Sequence, residues 1–274
     1  VRALAGLRVL KCSGTSKGEG PLAQGHGQLA DLSPLNGLPL TSLECNNTRV
    51  SDLSPLKDIK LTRLDCSGTK VSDLSPLMGM PLTSLGCRNT EVSDLAPLKG
   101  MNLTGLDCGG TGVFDRSPLK DMQLTVLNCG VTKVSDLSPL KDMRLKILYC
   151  WDTQVSDLTP LKDMNLAGLS CDRSPVSDLS PLRNMNKLEL LWVFGTRVSD
   201  LSPLKDMNLV ALNCAGTKVL DLSPLTGLPL QELWCNFDAA RDTAILRSIP
   251  TVAKINGQPA ADFLKKPAPP AGKS

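Results

Sequence analysis

Ten cysteines and a single histidine are the residues of this 274-residue chain best suited to chemistry, and their spacing decides which chemistry is open to them. Cys45, Cys66, Cys87, Cys108, Cys129, Cys150 and Cys171 recur at an unbroken interval of 21 residues; Cys214 and Cys235 resume it, and Val193 holds the skipped place. A metal centre calls for clustered ligands such as Cys-x-x-Cys with histidine support, and the sequence has neither. Disulfides call for converging side chains, whereas thiols on stacked parallel strands all point the same way. His26 could pair with a cysteine only if a third group oriented it, and it lies in a glycine-rich stretch without such a group. Gly272-Lys273-Ser274 resembles the end of a phosphate loop, but Pro267 stands where that loop's first glycine belongs and no helix can follow. The cysteines are left as small buried hydrophobes, and neither a metal nor a cofactor is expected.

A fixed short period is the mark of a solenoid, each repeat forming one rung. One unit reads Leu124-Thr-Val-Leu127-Asn-Cys129-Gly-Val-Thr132-Lys-Val134-Ser-Asp136-Leu137-Ser138-Pro139-Leu140-Lys-Asp-Met143. Leu127 and Cys129 are two apart and therefore share one face of a short strand. Val134, Leu137, Leu140 and Met143 carry the apolar set around the return path. Ser138-Pro139 reads as the start of a single 3₁₀ turn, with serine as N-cap and proline where its missing N–H costs little. The fold class expected is α/β: a curved parallel sheet on the concave side and short 3₁₀ turns on the convex side. Eleven strand positions fall at Cys12, the nine later cysteines and Val193.

The pattern Leu-x-x-Leu-x-Cys-x-x-Thr-x-Val-x-Asp-Leu-Ser-Pro-Leu resembles a leucine-rich repeat, closest in its connector to the internalin class, over residues 4–238. It differs in two columns: cysteine replaces the second strand leucine, and Thr48, Thr69, Thr90, Thr111, Thr132, Thr153, Thr196 and Thr217 replace asparagine. A threonine hydroxyl has one hydrogen to give a neighbouring carbonyl where an asparagine amide has two. This variant is similar to arrays in planctomycete-type bacterial proteins, some of which carry an upstream Ser/Thr kinase domain. The resemblance therefore also implies an alternative, a regulatory or scaffold segment of a larger signalling protein. It further implies that Ile245–Phe263 closes the array.

Residues 1–238 are thus read as the repeat array, with an insertion loop at 16–30; residues 239–266 as a C-terminal cap; and 267–274 as a disordered tail. The cap is expected to hold a short helix from Arg241, a strand-like Val252–Ile255, an Asn256-Gly257 turn and a second helix over 260–266. One unit has Val113-Phe114-Asp115-Arg116 where Val-Ser-Asp-Leu is usual. Phe114 is expected to fill part of the leucine's space, with Arg116 turned outward.

Composition removes several function classes. The net charge of +3 comes without a basic block, so the stripe that marks a nucleic-acid partner is missing. No apolar run is long enough to insert into a bilayer. Val1 reads as a cut end, with room upstream for a cap, a domain or an export signal. Localisation stays open, with the cytoplasm favoured slightly by ten unpaired thiols.

Strand residues between core positions point to the open face of such a sheet. The cysteines serve as coordinates for that face. Aromatics are only 3% of the chain, yet Tyr149, Trp151, Trp192, Phe194 and Trp234 all immediately flank a cysteine or Val193, and Phe237 lies one step further on. Asp172 and Arg173, on the rung between Trp151 and Trp192, add polar groups, and Arg173 is placed to stack on either indole. Clustered aromatics on a polar sheet have the composition of a recognition hot spot. The expected function is non-enzymatic recognition of a protein or peptide partner, with carbohydrate as an alternative ligand.

Overall fold

A computed structural model describes residues 6–14 and 27–265. The chain divides into two compact units, one running to Val134 and including Ser138–Leu145, the other comprising Ser135–Leu137 and the residues from Lys146 onward. His26, most of the predicted insertion loop and the predicted tail lie outside the described residues.

In the first unit, strands β1 (Val9–Lys11), β2 (Ser42–Glu44), β3 (Arg63–Asp65), β4 (Ser84–Gly86), β5 (Gly105–Asp107) and β6 (Val126–Asn128) pair in parallel and in chain order. Equivalent residues face one another across each pair, as in Leu43↔Leu64 and Leu64↔Leu85. The 21-residue period therefore becomes a set of columns. The central leucine of each strand from β2 to β6 is buried, and so are the cysteine after it, the valine after that, and the leucine of each Ser/Ala-Pro-Leu turn from Leu56 onward. Each strand is only three residues long and ends just before its cysteine, so the leucine, not the cysteine, is its centre.

Three polar devices hold the rung. The hydroxyls of Thr48, Thr69, Thr90, Thr111 and Thr132 each donate to the carbonyl of the cysteine three residues earlier, at 2.6–2.7 Å. Thiols reach across rungs: the Sγ atoms of Cys12, Cys66 and Cys108 donate to the Glu44, Gly86 and Asn128 carbonyls, each at 3.4 Å. The 3₁₀ turns form as expected, but serine is not their cap. Ser54 and Ser75 are the first residues of their turns, and their N–H groups donate to Asp52 and Asp73 at 2.8 and 2.7 Å. Aspartate places its carboxylate over an N–H two residues on, and Pro at the next position has no N–H to satisfy. The repeated Asp-x-Ser-Pro is thus a cap whose acceptor lies two residues before the serine that the sequence reading gave this role.

The Phe114–Arg116 expectation is overturned. Phe114 is 70% exposed, and Arg116 is 1% exposed. The backbone explains the inversion: Asp115 caps Ser117 at 2.8 Å, as Asp52, Asp73 and Asp94 cap their own turns, and this fixes residue 116 to the inward leucine position whatever its side chain. Arg116 Nη2 donates to Thr132 Oγ1 at 3.3 Å, while Nε and Nη1 have no partner. The guanidinium also opposes the rise that burial imposes on the Cys129 thiol.

The second unit repeats the plan with β7 (Ile147–Tyr149), β8 (Gly168–Ser170), β9 (Leu190–Trp192), β10 (Ala211–Asn213) and β11 (Glu232–Trp234), again parallel and in order. The connector aspartates cap here too, with Thr159, Ser180, Ser202 and Ser223 donating to Asp157, Asp178, Asp200 and Asp221 at 2.7–2.8 Å. After β11 comes helix α1 (Ala239–Arg247), capped by the Asp238 carboxylate on the Arg241 N–H. Asp242 is fully buried and held by Arg241 through two contacts of 2.7 and 2.8 Å. Strand β12 (Lys254–Ile255) adds in parallel to β11, then turns back into β13 (Gln258–Pro259) and a short helix α2 (Ala260–Phe263). The Asn256 amide accepts from the Cys235 N–H at 2.9 Å and donates to the Cys235 carbonyl at 3.1 Å. One side chain thereby stands in for the backbone of a further rung. The sequence reading had placed a turn at Asn256-Gly257 without the returning strand β13.

Candidate functional site

On each strand from β7 to β11 a buried leucine lies between two residues that face the other way. The residue after the buried cysteine or Val193 returns to that same open face. The face therefore has three columns. Nearest the strand starts run Ile147, Gly168, Leu190, Ala211 and Glu232; at the strand ends run Tyr149, Ser170, Trp192, Asn213 and Trp234; beyond the Cys/Val column run Trp151, Asp172, Phe194, Ala215 and Asn236.

Large and small residues alternate along these columns. Adjacent parallel strands are about 4.8 Å apart, too close for two indoles side by side. A small neighbour gives each ring room to lie across the next rung. Ser170, on the open face, is only 3% exposed, and Gly168 and Ala211 are buried as well. A Cβ added to Gly168 would meet Ile147 and Leu190 side-chain atoms at 3.9 Å, so the flanking rungs close over it. Rungs seven and nine, Ile147-Tyr149-Trp151 and Leu190-Trp192-Phe194, thus form two apolar ridges over a rung of Gly, Ser and Asp. The first column escaped the sequence reading. The alternation x-Leu-x carried the signal, since the residue two before each tyrosine or tryptophan must share its face.

The polar groups sit between these ridges. Asp172 Oδ1 accepts the Phe194 N–H at 2.7 Å, and Oδ2 accepts the Ser170 hydroxyl at 3.2 Å. Burial raises the Asp172 pKa, and these two bonds and Arg173 only offset part of the rise. Arg173 pairs with Asp152 at 2.8 Å, and its guanidinium lies over the Phe194 ring, 5.7 Å from the centroid. The structure thus gives Arg173 a phenyl face where sequence reasoning offered it an indole. Asp152 and Arg173 have φ of 50° and 52°, at a place where Gly195 and Gly216 follow on later rungs. Side chains with a Cβ adopt that left-handed backbone at a cost, so both are held in strained positions beside the ridges. Glu232 pairs with Lys254 at 2.8 Å.

Tyr149, Trp151, Trp192 and Trp234 are half-buried on this face, and Phe194 is 36% exposed. Phe237 leaves the group. Its ring packs edge-on against Phe263 of α2, with centroids 4.8 Å apart at 68°, which ties it to the C-terminal segment.

The open face of the first unit is different in kind. Its strand-end column reads Lys11, Glu44, Asp65, Gly86, Asp107 and Asn128, with Ser13, Asn46, Ser67, Arg88, Gly109 and Gly130 beyond the cysteines. Burial raises the Asp107 carboxyl, and Lys11 pairs with Glu44 at 3.0 Å. The cysteines on the inner side are free. Burial pushes the thiols of Cys66, Cys108, Cys171 and Cys235 up to about 12, far from nucleophilic use at neutral pH. Among the described residues no group of three His, Cys, Asp or Glu could hold a metal, and no helix is long and apolar enough to cross a membrane.

The sequence matches no protein-family model and no curated protein sequence. Solved structures are similar to it. An internalin (inlF) from Listeria monocytogenes superimposes with a TM-score of 0.79 at 26% identity, over 93% of this chain and 81% of that one. The functional domain of InlJ from the same organism, which includes a cysteine ladder, matches with a TM-score of 0.50 at 22% identity, over 92% of this chain and 67% of that one. The leucine-rich-repeat ectodomain of a membrane receptor kinase from Arabidopsis thaliana, solved in complex with Casparian strip integrity factor 2, matches with a TM-score of 0.64 at 16% identity, over 91% of this chain and 32% of that one. The fold is a leucine-rich-repeat solenoid, and its repeats are internalin-like.

Proposed function

We propose that this leucine-rich-repeat chain is a non-enzymatic recognition module, and that the open face of its second unit contacts a protein or peptide partner. The carrying observation is the pair of apolar ridges, Ile147-Tyr149-Trp151 and Leu190-Trp192-Phe194, on a sheet face that the first unit leaves polar and glycine-rich. Half-buried indoles on a rigid sheet offer large contact area with little side-chain entropy to lose, which is what interface hot spots need. Leucine-rich-repeat solenoids serve as interaction modules, and the Arabidopsis ectodomain was solved in a complex. The same reading treats residues 1–238 as the array and 239–266 as its cap, with Phe237 serving the cap.

The test is capture of a partner by the immobilised chain, compared with Trp151→Ala and Trp192→Ala variants whose folding is verified by circular dichroism. Truncating a hot-spot aromatic costs about 2 kcal/mol or more of binding, roughly a thirtyfold loss. Capture that survives both substitutions unchanged would remove the aromatic face from the function.

A further inference from the structure

The face between the two ridges has a charge left over. Asp152 is matched by Arg173 and Glu232 by Lys254. Asp172 forms no ion pair among the described residues, although it lies on the central rung, with Trp151 at the matching position on one side and Phe194 on the other. The register follows from Asp152 N–H donating to the Asp172 carbonyl and Arg173 N–H to the Phe194 carbonyl, both at 2.7 Å. Two contacts occupy the carboxylate, the Phe194 N–H and the Ser170 hydroxyl. An ionised carboxylate has about four lone-pair sites, so about two remain, on a residue that is half-exposed. Both bonds are neutral donors, and they orient the group without cancelling its charge.

The surroundings suit one kind of guest. Aromatic faces attract cations through the ring quadrupole, most strongly where water is displaced. The chain displays this chemistry itself, since the Arg173 guanidinium lies over the Phe194 ring and meets the Asp152 carboxylate. On the central rung Arg173 is engaged with Asp152 and Phe194, whereas the Asp172 carboxylate between the ridges has no ion pair among the described residues.

We propose that the partner supplies it: a lysine or arginine side chain that seats on Asp172 between the Tyr149-Trp151 and Trp192-Phe194 ridges. The inference rests on the open face being the contact surface and adds the chemistry of what docks there. Two ridges flanking the central rung stand about 9.6 Å apart, twice the strand spacing, which admits an extended side chain with its aliphatic stem against the rings. Burial raises the Asp172 pKa, and a cation seated on the carboxylate would oppose that rise.

The experiment titrates the whole chain with Nα-acetyl-lysine amide, Nα-acetyl-arginine amide and the neutral Nα-acetyl-norleucine amide at matched ionic strength. Binding is followed at the three indole N–H resonances, assigned with single Trp→Phe variants. The expected result is that the cationic probes shift Trp151 and Trp192 but not Trp234, and bind at least tenfold more tightly than norleucine. Asp172→Asn, which keeps an acceptor for the Phe194 N–H, should bring them down to the norleucine level, while Asp172→Glu should retain part of the preference. Equal binding of all three probes, no binding of any, or an unaltered preference in Asp172→Asn overturns the proposal. Equal binding at Trp151 and Trp192 would leave the aromatic contact surface standing, whereas partner capture unaffected by Trp151→Ala and Trp192→Ala would remove that surface itself.

Discussion

Replacing Arg116 by leucine should stabilise the protein. The equivalent connector residues Leu53, Leu74 and Leu95 are each 1% exposed, and Arg116 occupies the same slot at 1%. It brings a positive charge and two nitrogens, Nε and Nη1, without partners. A buried donor without a partner costs about 1–3 kcal/mol, and the single bond to Thr132 returns about 1. Exchange of buried ionic groups for apolar residues of similar volume gains about 1–4 kcal/mol where it has been measured. The expected gain for Arg116→Leu is about 2–4 kcal/mol, which for a chain of this size raises the melting temperature on the order of 10 °C. Thr132 keeps its own bond to the Cys129 carbonyl at 2.6 Å, so nothing new is left unsatisfied.

Urea unfolding with linear extrapolation and thermal melting would measure the effect for Arg116→Leu, Arg116→Met and Arg116→Lys. Methionine keeps the length without the charge and should also stabilise, whereas lysine keeps the charge and should not. If leucine and methionine variants melt at or below the parent temperature, the buried guanidinium is not a burden and the argument fails. Phe114→Ser provides an independent check. With its ring 70% exposed, the change should stay within about 0.5 kcal/mol; a ring that filled the core would cost about 3–5 kcal/mol to remove.

Two further outcomes follow from the polar framework. The connector carboxyls of Asp31, Asp52, Asp73, Asp115, Asp157, Asp200 and Asp221 are all held below their ordinary value of 3.8 by hydrogen bonds from the residue two further on. A lowered folded-state pKa gives stability that is present above the ordinary value and is lost as pH falls through it and below; urea midpoints should drop steeply below about pH 4, and less steeply in an Asp52→Asn/Asp73→Asn variant, so equal slopes would contradict the capping role. Native alkylation read by mass spectrometry should label half-buried Cys12 first, while Cys66 and Cys171, buried and with thiols pushed up to about 12, should react only as the chain unfolds; native labelling of those two at the unfolded rate would contradict an inert column.

What the sequence makes legible here is whatever the period enforces on the backbone, and what it hides is whatever depends on a side chain's own preference. The cysteine interval locates every rung because a column in the sequence becomes a column in space. The open-face aromatics follow from the same rule, since alternation along a three-residue strand admits only two directions. Arg116 shows where such reasoning breaks. Chemistry alone sends a guanidinium outward and a phenyl ring inward, and the structure does the reverse because Asp115 and Pro118 clamp the connector at both sides of residue 116. Neighbouring rungs then hold residue 116 in the leucine slot, so one unfavourable side chain is cheaper than a broken stack. Asp172 is hidden for the opposite reason. Its place as an acid on the open face is visible at once, but its isolation depends on which carboxylate Arg173 chooses. Arg173 pairs with Asp152, one rung back, and that pairing is a matter of side-chain placement that the period does not encode. The repeat therefore specifies the frame, and the side chains that vary within it, at residues 116, 172 and 173, carry what the period does not.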